Sequence, residues 1–142
     1  MNRQCPIKRW PDSSACRTLD QMSSDPVLLI VDDNAAVRSA LGAYMSRVAG
    51  WTTVLVAEDS ARALEIATDQ CPDAIVLDNF MPGGNGIDVL PELRRACPSA
   101  RIVMHTTDDS GELRDQAAAR GADAVVHKGQ PLEQLASLLD AA

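Results

Sequence analysis

Three acids, a threonine and a lysine follow short apolar runs in this chain, and together they could carry phosphoryl transfer to a carboxylate. Asp32 and Asp33 follow VLLIV, Asp78 closes DAIVLD, Thr106 and Thr107 follow RIVMH, and Lys128 follows DAVVH. Three carboxylates at neighbouring strand ends repel one another and resist ionisation unless a cation joins them. A hard divalent ion relieves that repulsion, and Mg²⁺ suits a site with few carboxylates, several waters and a phosphate oxygen. In such a set Asp78 attacks in line, Mg²⁺ and Lys128 neutralise equatorial oxygens, and Thr106 donates a hydrogen bond. Each member alone has a plainer reading: Asp32 as an anion at a helix N-terminus capped by Asn34, Thr106 as a turn residue, Lys128 as a solvated lysine. The chemistry belongs to the set.

The elements that must position these residues are legible in the hydropathy. The apolar runs are Val27 to Val31, Thr52 to Ala57, Asp73 to Asp78, Arg101 to His105 and Asp123 to His127. They are continuous rather than alternating, which predicts strands covered on both faces. Between them, helical spacing links Val37, Leu41, Tyr44, Met45 and Val48; then Ala63, Leu64 and Ala67; then Ile87, Leu90 and Leu93; and finally Leu132, Leu135, Leu138 and Leu139. Gly111 to Arg120 is alanine-rich, with Gly121 as a helix stop. Five βα units imply an α/β domain with a doubly wound parallel sheet and right-handed crossovers. In such a sheet, function gathers at the carboxyl ends of the strands, where the acids, Thr106 and Lys128 fall.

The bulk numbers narrow the function classes. A chain of 142 residues, 46% hydrophobic, predicts one domain with a real core. Residues 1–24 lack apolar periodicity and predict a disordered extension, which leaves 25–142 as the folded domain. The extension holds four basic and two acidic residues, and the rest of the chain nine and eighteen, so the charge changes sign at that boundary. A formal charge of −7 disfavours direct nucleic-acid binding and points to a protein partner or a small cation. No apolar run is long enough for a membrane crossing or a signal peptide, which predicts a cytoplasmic protein. Cys5, Cys16, Cys71 and Cys97 show no metal-binding spacing and are expected to be reduced thiols.

At this point the sequence resembles the receiver domains of bacterial two-component response regulators, over residues 27–140. The motifs are VDDN at 31–34, LDNFMPGGNG at 77–86, HTT at 105–107 and GADAVVHKG at 121–129. The resemblance implies a flavodoxin-like strand order 2-1-3-4-5 with five helices. It also implies that Asp78 is the phosphoacceptor, fed by a histidine kinase or a histidine phosphotransfer protein. Asp33, Asp78 and the Phe80 backbone carbonyl would ligate Mg²⁺ directly, and Asp32 through water. Thr106 would move toward the phosphate and rearrange the surface around the last strands and helices, biasing an unknown downstream protein target or a phosphorylation-dependent dimer. Phe80 and Asp108 occupy positions that influence phosphoryl lifetime, and Phe80 predicts slow self-dephosphorylation. Glycine at 86 is expected to serve backbone geometry.

The chain departs from the family pattern at two places. Val125 stands where an aromatic ring is usual, and Gly129 follows Lys128 where proline is common. The form KGQPLEQL, with Pro131 opening the last helix, resembles receivers that precede a helix-turn-helix domain. The chain is thus read as a non-enzymatic receiver, either a stand-alone regulator or the receiver of a DNA-binding one. A pseudo-receiver is disfavoured by the complete acid, hydroxyl and lysine set. A Mg²⁺-dependent phosphohydrolase is disfavoured by Phe80, where such enzymes generally place a second acid. His105 and His127 end adjacent strands and are weighed as a pair titrating near neutrality or as ordinary strand-end histidines. Pro91 is expected to bend the third helix.

Overall fold

A computed structural model describes residues 26–108 and 110–139, and the extension expected over 1–24 lies outside them. The described elements alternate strictly: β1 (Val27–Val31), α1 (Ala35–Arg47), β2 (Thr53–Ala57), α2 (Ser60–Gln70), β3 (Ala74–Leu77), α3 (Gly86–Ala96), β4 (Arg101–Thr106), α4 (Gly111–Arg120), β5 (Ala124–His127) and α5 (Leu132–Leu139). All strand pairs are parallel, in the order β2-β1-β3-β4-β5, as expected. Among the described residues no helix is long and apolar enough to cross a membrane.

The continuous apolar runs are explained by two cores, because successive strand residues face opposite sides of the sheet. Leu29, Val31, Ile75, Leu77, Ile102 and Met104 pack with α2, α3 and α4. Leu28, Ile30, Val76, Val103 and Val126 pack with α1 and α5 through Leu41, Met45, Leu135 and Leu139. Val48, expected on the first helix face, instead caps its C-terminus and is exposed. Local capping fixes the helix starts. Asn34, Asp59 and Ser110 each accept an amide N–H from the first turn of α1, α2 and α4.

Strand limits shift from the sequence expectation by one residue at several ends. Asp73 and Asp123 fall outside β3 and β5 because their carboxylates take neighbouring amides, Val27 N–H at 2.7 Å and Ile102 N–H at 2.8 Å. They finish the ladder at the amino edge instead of extending it. At the opposite edge β4 runs through Thr106, paired with His127. Strand order reverses at β1, so the crevice between β1 and β3 opens where Asp32 and Asp78 emerge.

Candidate functional site

Asp32 leaves β1 buried and fully engaged. Its Oδ1 accepts the Asn34 amide at 2.9 Å and its Oδ2 accepts Lys128 Nζ at 2.8 Å. Its backbone carbonyl accepts Arg38 Nη1 at 2.8 Å, so the second turn of α1 reaches back to fix the acid pair. Asp33 is exposed. One carboxylate oxygen from each of Asp32, Asp33 and Asp78 lies within 4.8 Å of the others.

Asp78 is buried directly after β3, with Lys128 Nζ at 3.3 Å. The loop beyond it is drawn closed at Asn79, whose carbonyl accepts Gly86 N–H at 2.8 Å and whose Oδ1 accepts Ile87 N–H at 3.0 Å. Within that loop Phe80 projects with about half its surface exposed, while Met81 is buried. At Gly86 the backbone requirement is a close approach rather than an unusual φ. Its φ is not in the left-handed region, and glycine is required because a Cβ would collide with the Asp78 carbonyl oxygen.

Thr106 is fully buried at the end of β4. Its Oγ1 accepts the Asp108 amide at 3.2 Å, and its carbonyl accepts Lys128 N–H at 2.9 Å, which ties the hydroxyl and the ammonium to one frame. Asp32, Asp33, Asp78 and Lys128 therefore meet in one cluster, with Thr106 beside Lys128 and Phe80 on the adjoining loop.

Charge in this cluster is unbalanced. Burial, and then the neighbouring Asp32 charge, raise the Asp78 pKa above the usual carboxylate value, with Lys128 working against them. For Lys128, burial acts to lower the pKa, but its hydrogen bond to Asp32 and the Asp78 charge outweigh burial and raise it. Three carboxylates cluster here, and the Lys128 ammonium pairs with two of them, Asp32 and Asp78. The donor set is all oxygen, which fits a hard divalent cation such as Mg²⁺ or Ca²⁺ and not a soft metal.

The histidine pair does not form. Thr106 pairs with His127 and Val126 with His105, so the two rings stand on opposite faces of the sheet. His105 is buried, neither ring nitrogen has a hydrogen-bond partner, and burial followed by the Lys128 charge lowers its pKa to about 4. That shift takes His105 below the usual histidine range. His127 instead accepts Gly129 N–H on Nδ1 at 2.9 Å. The sequence reading also missed Arg38 and Asn79, which hold the acid pair and the loop neck. Asn79 was signalled only by its place after Asp78, and Arg38 by nothing local.

Comparison with known proteins matches residues 28–140 to the response regulator receiver domain. The nitrate/nitrite response regulator NarL of Escherichia coli K12 is 33% identical over 112 residues, covering 79% of this chain and 52% of the relative. The response regulator MprA of Mycobacterium ulcerans is 38% identical over 108 residues, covering 76% and 46%. This chain thus spans about half the length of these relatives. Among solved structures, a Burkholderia pseudomallei response regulator with a phosphorylated aspartic acid, calcium ion and citrate is similar, with a TM-score of 0.77 and 26% identity over 82% of this chain and 68% of that one. The Vibrio cholerae chemotaxis protein CheY4 aligns with a TM-score of 0.73 and 28% identity over 82% of this chain and 97% of that one.

Proposed function

The chain belongs to the response regulator receiver domain family of two-component signalling, and from that premise we propose that Asp78 is its phosphoacceptor. The observation that carries this is Lys128 Nζ lying 2.8 Å from Asp32 and 3.3 Å from Asp78, with Asp33 completing the acid cluster. A phosphohistidine of a histidine kinase or phosphotransfer protein supplies the phosphoryl group. An Asp78 carboxylate oxygen forms the new O–P bond as the N–P bond breaks, and the N–P electron pair stays on the imidazole, which departs neutral because its other ring nitrogen already carries a proton. Lys128 would neutralise a phosphoryl oxygen, and the Thr106 hydroxyl would donate a hydrogen bond to another.

Asp33, Asp78 and the Phe80 carbonyl would hold Mg²⁺ directly and Asp32 through water, where the ion supplies charge neutralisation for the transferring group. The calcium ion and phosphorylated aspartic acid named for the Burkholderia protein support this reading. Beyond accepting and slowly losing the phosphoryl group, the chain acts as a cytoplasmic switch and not as an enzyme on other substrates. Residues 25–142 form the receiver unit.

Incubation with acetyl phosphate and Mg²⁺, followed by intact mass, tests the assignment. The native chain gains one acid-labile phosphoryl group and Asp78→Asn gains none. A native chain that stays unmodified rules the assignment out. A second reading, the receiver half of a DNA-binding regulator, is favoured by the span of about half of NarL and MprA and by the likeness to a LuxR-family regulator from Aurantimonas. Sequencing the coding region beyond Ala142 decides between them: a helix-turn-helix segment establishes this reading, and a stop codon removes it.

A further inference from the structure

Pro91 sits inside α3 and has no N–H to give the carbonyl four residues back, that of Ile87. A partly buried carbonyl deprived of its helix donor needs another partner. It finds one in α4: Arg120 Nη1 donates to the Ile87 oxygen at 3.1 Å, with Asp88 a further 3.5 Å contact for the same guanidinium. The other side of Ile87 is equally committed. Its N–H belongs to the first turn of α3, where amides lack intrahelical acceptors, and it donates to Asn79 Oδ1 at 3.0 Å. Asn79 is buried and covalently joined to Asp78.

Ile87 is therefore gripped on its N–H by the residue after Asp78 and on its carbonyl by the last residue of α4. A second arginine runs the opposite way. Arg94 of α3 donates to the Gly121 carbonyl beyond α4 through Nε at 3.0 Å and Nη2 at 2.7 Å. These reciprocal contacts join α3 and α4 into one body whose only polar tie to the neck of the Asp78 loop, among the described contacts, runs through Ile87 and Gly86 to Asn79.

We propose that the signal leaves Asp78 through Asn79 and Ile87 and reaches α4 through Arg120, with Pro91 creating the acceptor that makes the last step possible. This rests on the phosphoacceptor reading. A shift of the Asp78 loop on phosphorylation displaces the first turn of α3, and Arg120 carries that displacement to α4. No ring is needed at Val125, which packs as a partly buried aliphatic residue.

Hydrogen exchange, read by mass spectrometry with and without beryllofluoride and Mg²⁺, tests the route in the native chain, Arg120→Met and Pro91→Ala. Arg120→Met keeps the aliphatic stem and removes the donors, while Pro91→Ala restores an N–H that competes with Arg120 and favours the helix. In the native chain, ligand is expected to change exchange in both the 79–87 loop and α4, by about fivefold in α4. In each variant the loop response persists and the α4 response disappears. Ligand-induced loop protection with an unchanged α4 response in both variants overturns the route alone. Failure of the native chain to bind beryllofluoride overturns the phosphoacceptor reading and the route with it.

Discussion

Lys128 Nζ lies 2.8 Å from Asp32 Oδ2, joining the residue after β5 to the residue after β1 across 96 positions of sequence. The same ammonium is 3.3 Å from Asp78, so one cation just beyond the last strand holds two buried acids just beyond the first and third. Removing it leaves both acids without their shared counter-charge. Lys128→Met is expected to lose about 3 kcal/mol of stability at neutral pH without divalent ions, as when one partner of a buried pair is deleted. Urea denaturation measures the loss. Added Mg²⁺ is expected to restore part of it.

Metal removal should separate the exposed acid from the buried ones. At about a hundredfold excess over its dissociation constant, Mg²⁺ stabilises the folded chain by roughly 2.7 kcal/mol. Thermal melts with Mg²⁺ and with EDTA should differ accordingly. Asp33→Asn is expected to lose that difference while melting like the native chain in EDTA, because Asp33 is exposed and such substitutions usually cost under about 0.5 kcal/mol. An undiminished Mg²⁺ shift in the variant would remove Asp33 from the ligand set.

His105 predicts an acid limb of the stability curve. Its folded pKa, lowered to about 4 from 6.5, means the unfolded chain binds the extra proton first as pH falls. Its stabilising contribution is complete above pH 6.5 and is lost progressively toward pH 4, by on the order of 3 kcal/mol. Asp78 acts in the opposite sense, since its raised pKa favours the folded state as pH falls. Urea midpoints of His105→Leu should therefore lack the decline that the native chain shows between these two pH values. A parallel decline in the variant would assign it to other groups.

The histidine result shows where sequence reading reaches its limit. The apolar runs carried the fold because each strand must satisfy two cores, a demand written locally in residues such as Leu28 and Leu29. The strand-end acids were legible because their types are anomalous beside apolar runs. The orientation of His105 away from His127 depends on the β4 to β5 register, which no local pattern encodes. Asp73 and Asp123 read as strand residues because their amide contacts lie 46 and 21 positions away. Pro91 was legible only as a lost helix donor, because the group that serves the freed Ile87 carbonyl, Arg120, lies 33 positions further on.

Three glycine-to-alanine substitutions should rank by geometry rather than by conservatism. At Gly86 a Cβ would strike the Asp78 carbonyl oxygen and sit 3.1 Å from Leu77 Cγ. Both neighbours belong to the β3 segment that sets Asp78, so α3 must move away, at an expected cost of about 3 kcal/mol typical of overpacking. Gly83 has open space around it but a φ of +83°, so alanine there carries only left-handed strain, about 1 kcal/mol. Gly111 has neither obstacle, and alanine at the first residue of α4 is expected to be neutral or slightly stabilising. Urea denaturation of the three variants should give that order. Acetyl phosphate labelling should fall most in Gly86→Ala, because that substitution alone forces α3 away from the Asp78 carbonyl; equal labelling of Gly86→Ala and the native chain would mean that the α3 approach does not set the acceptor.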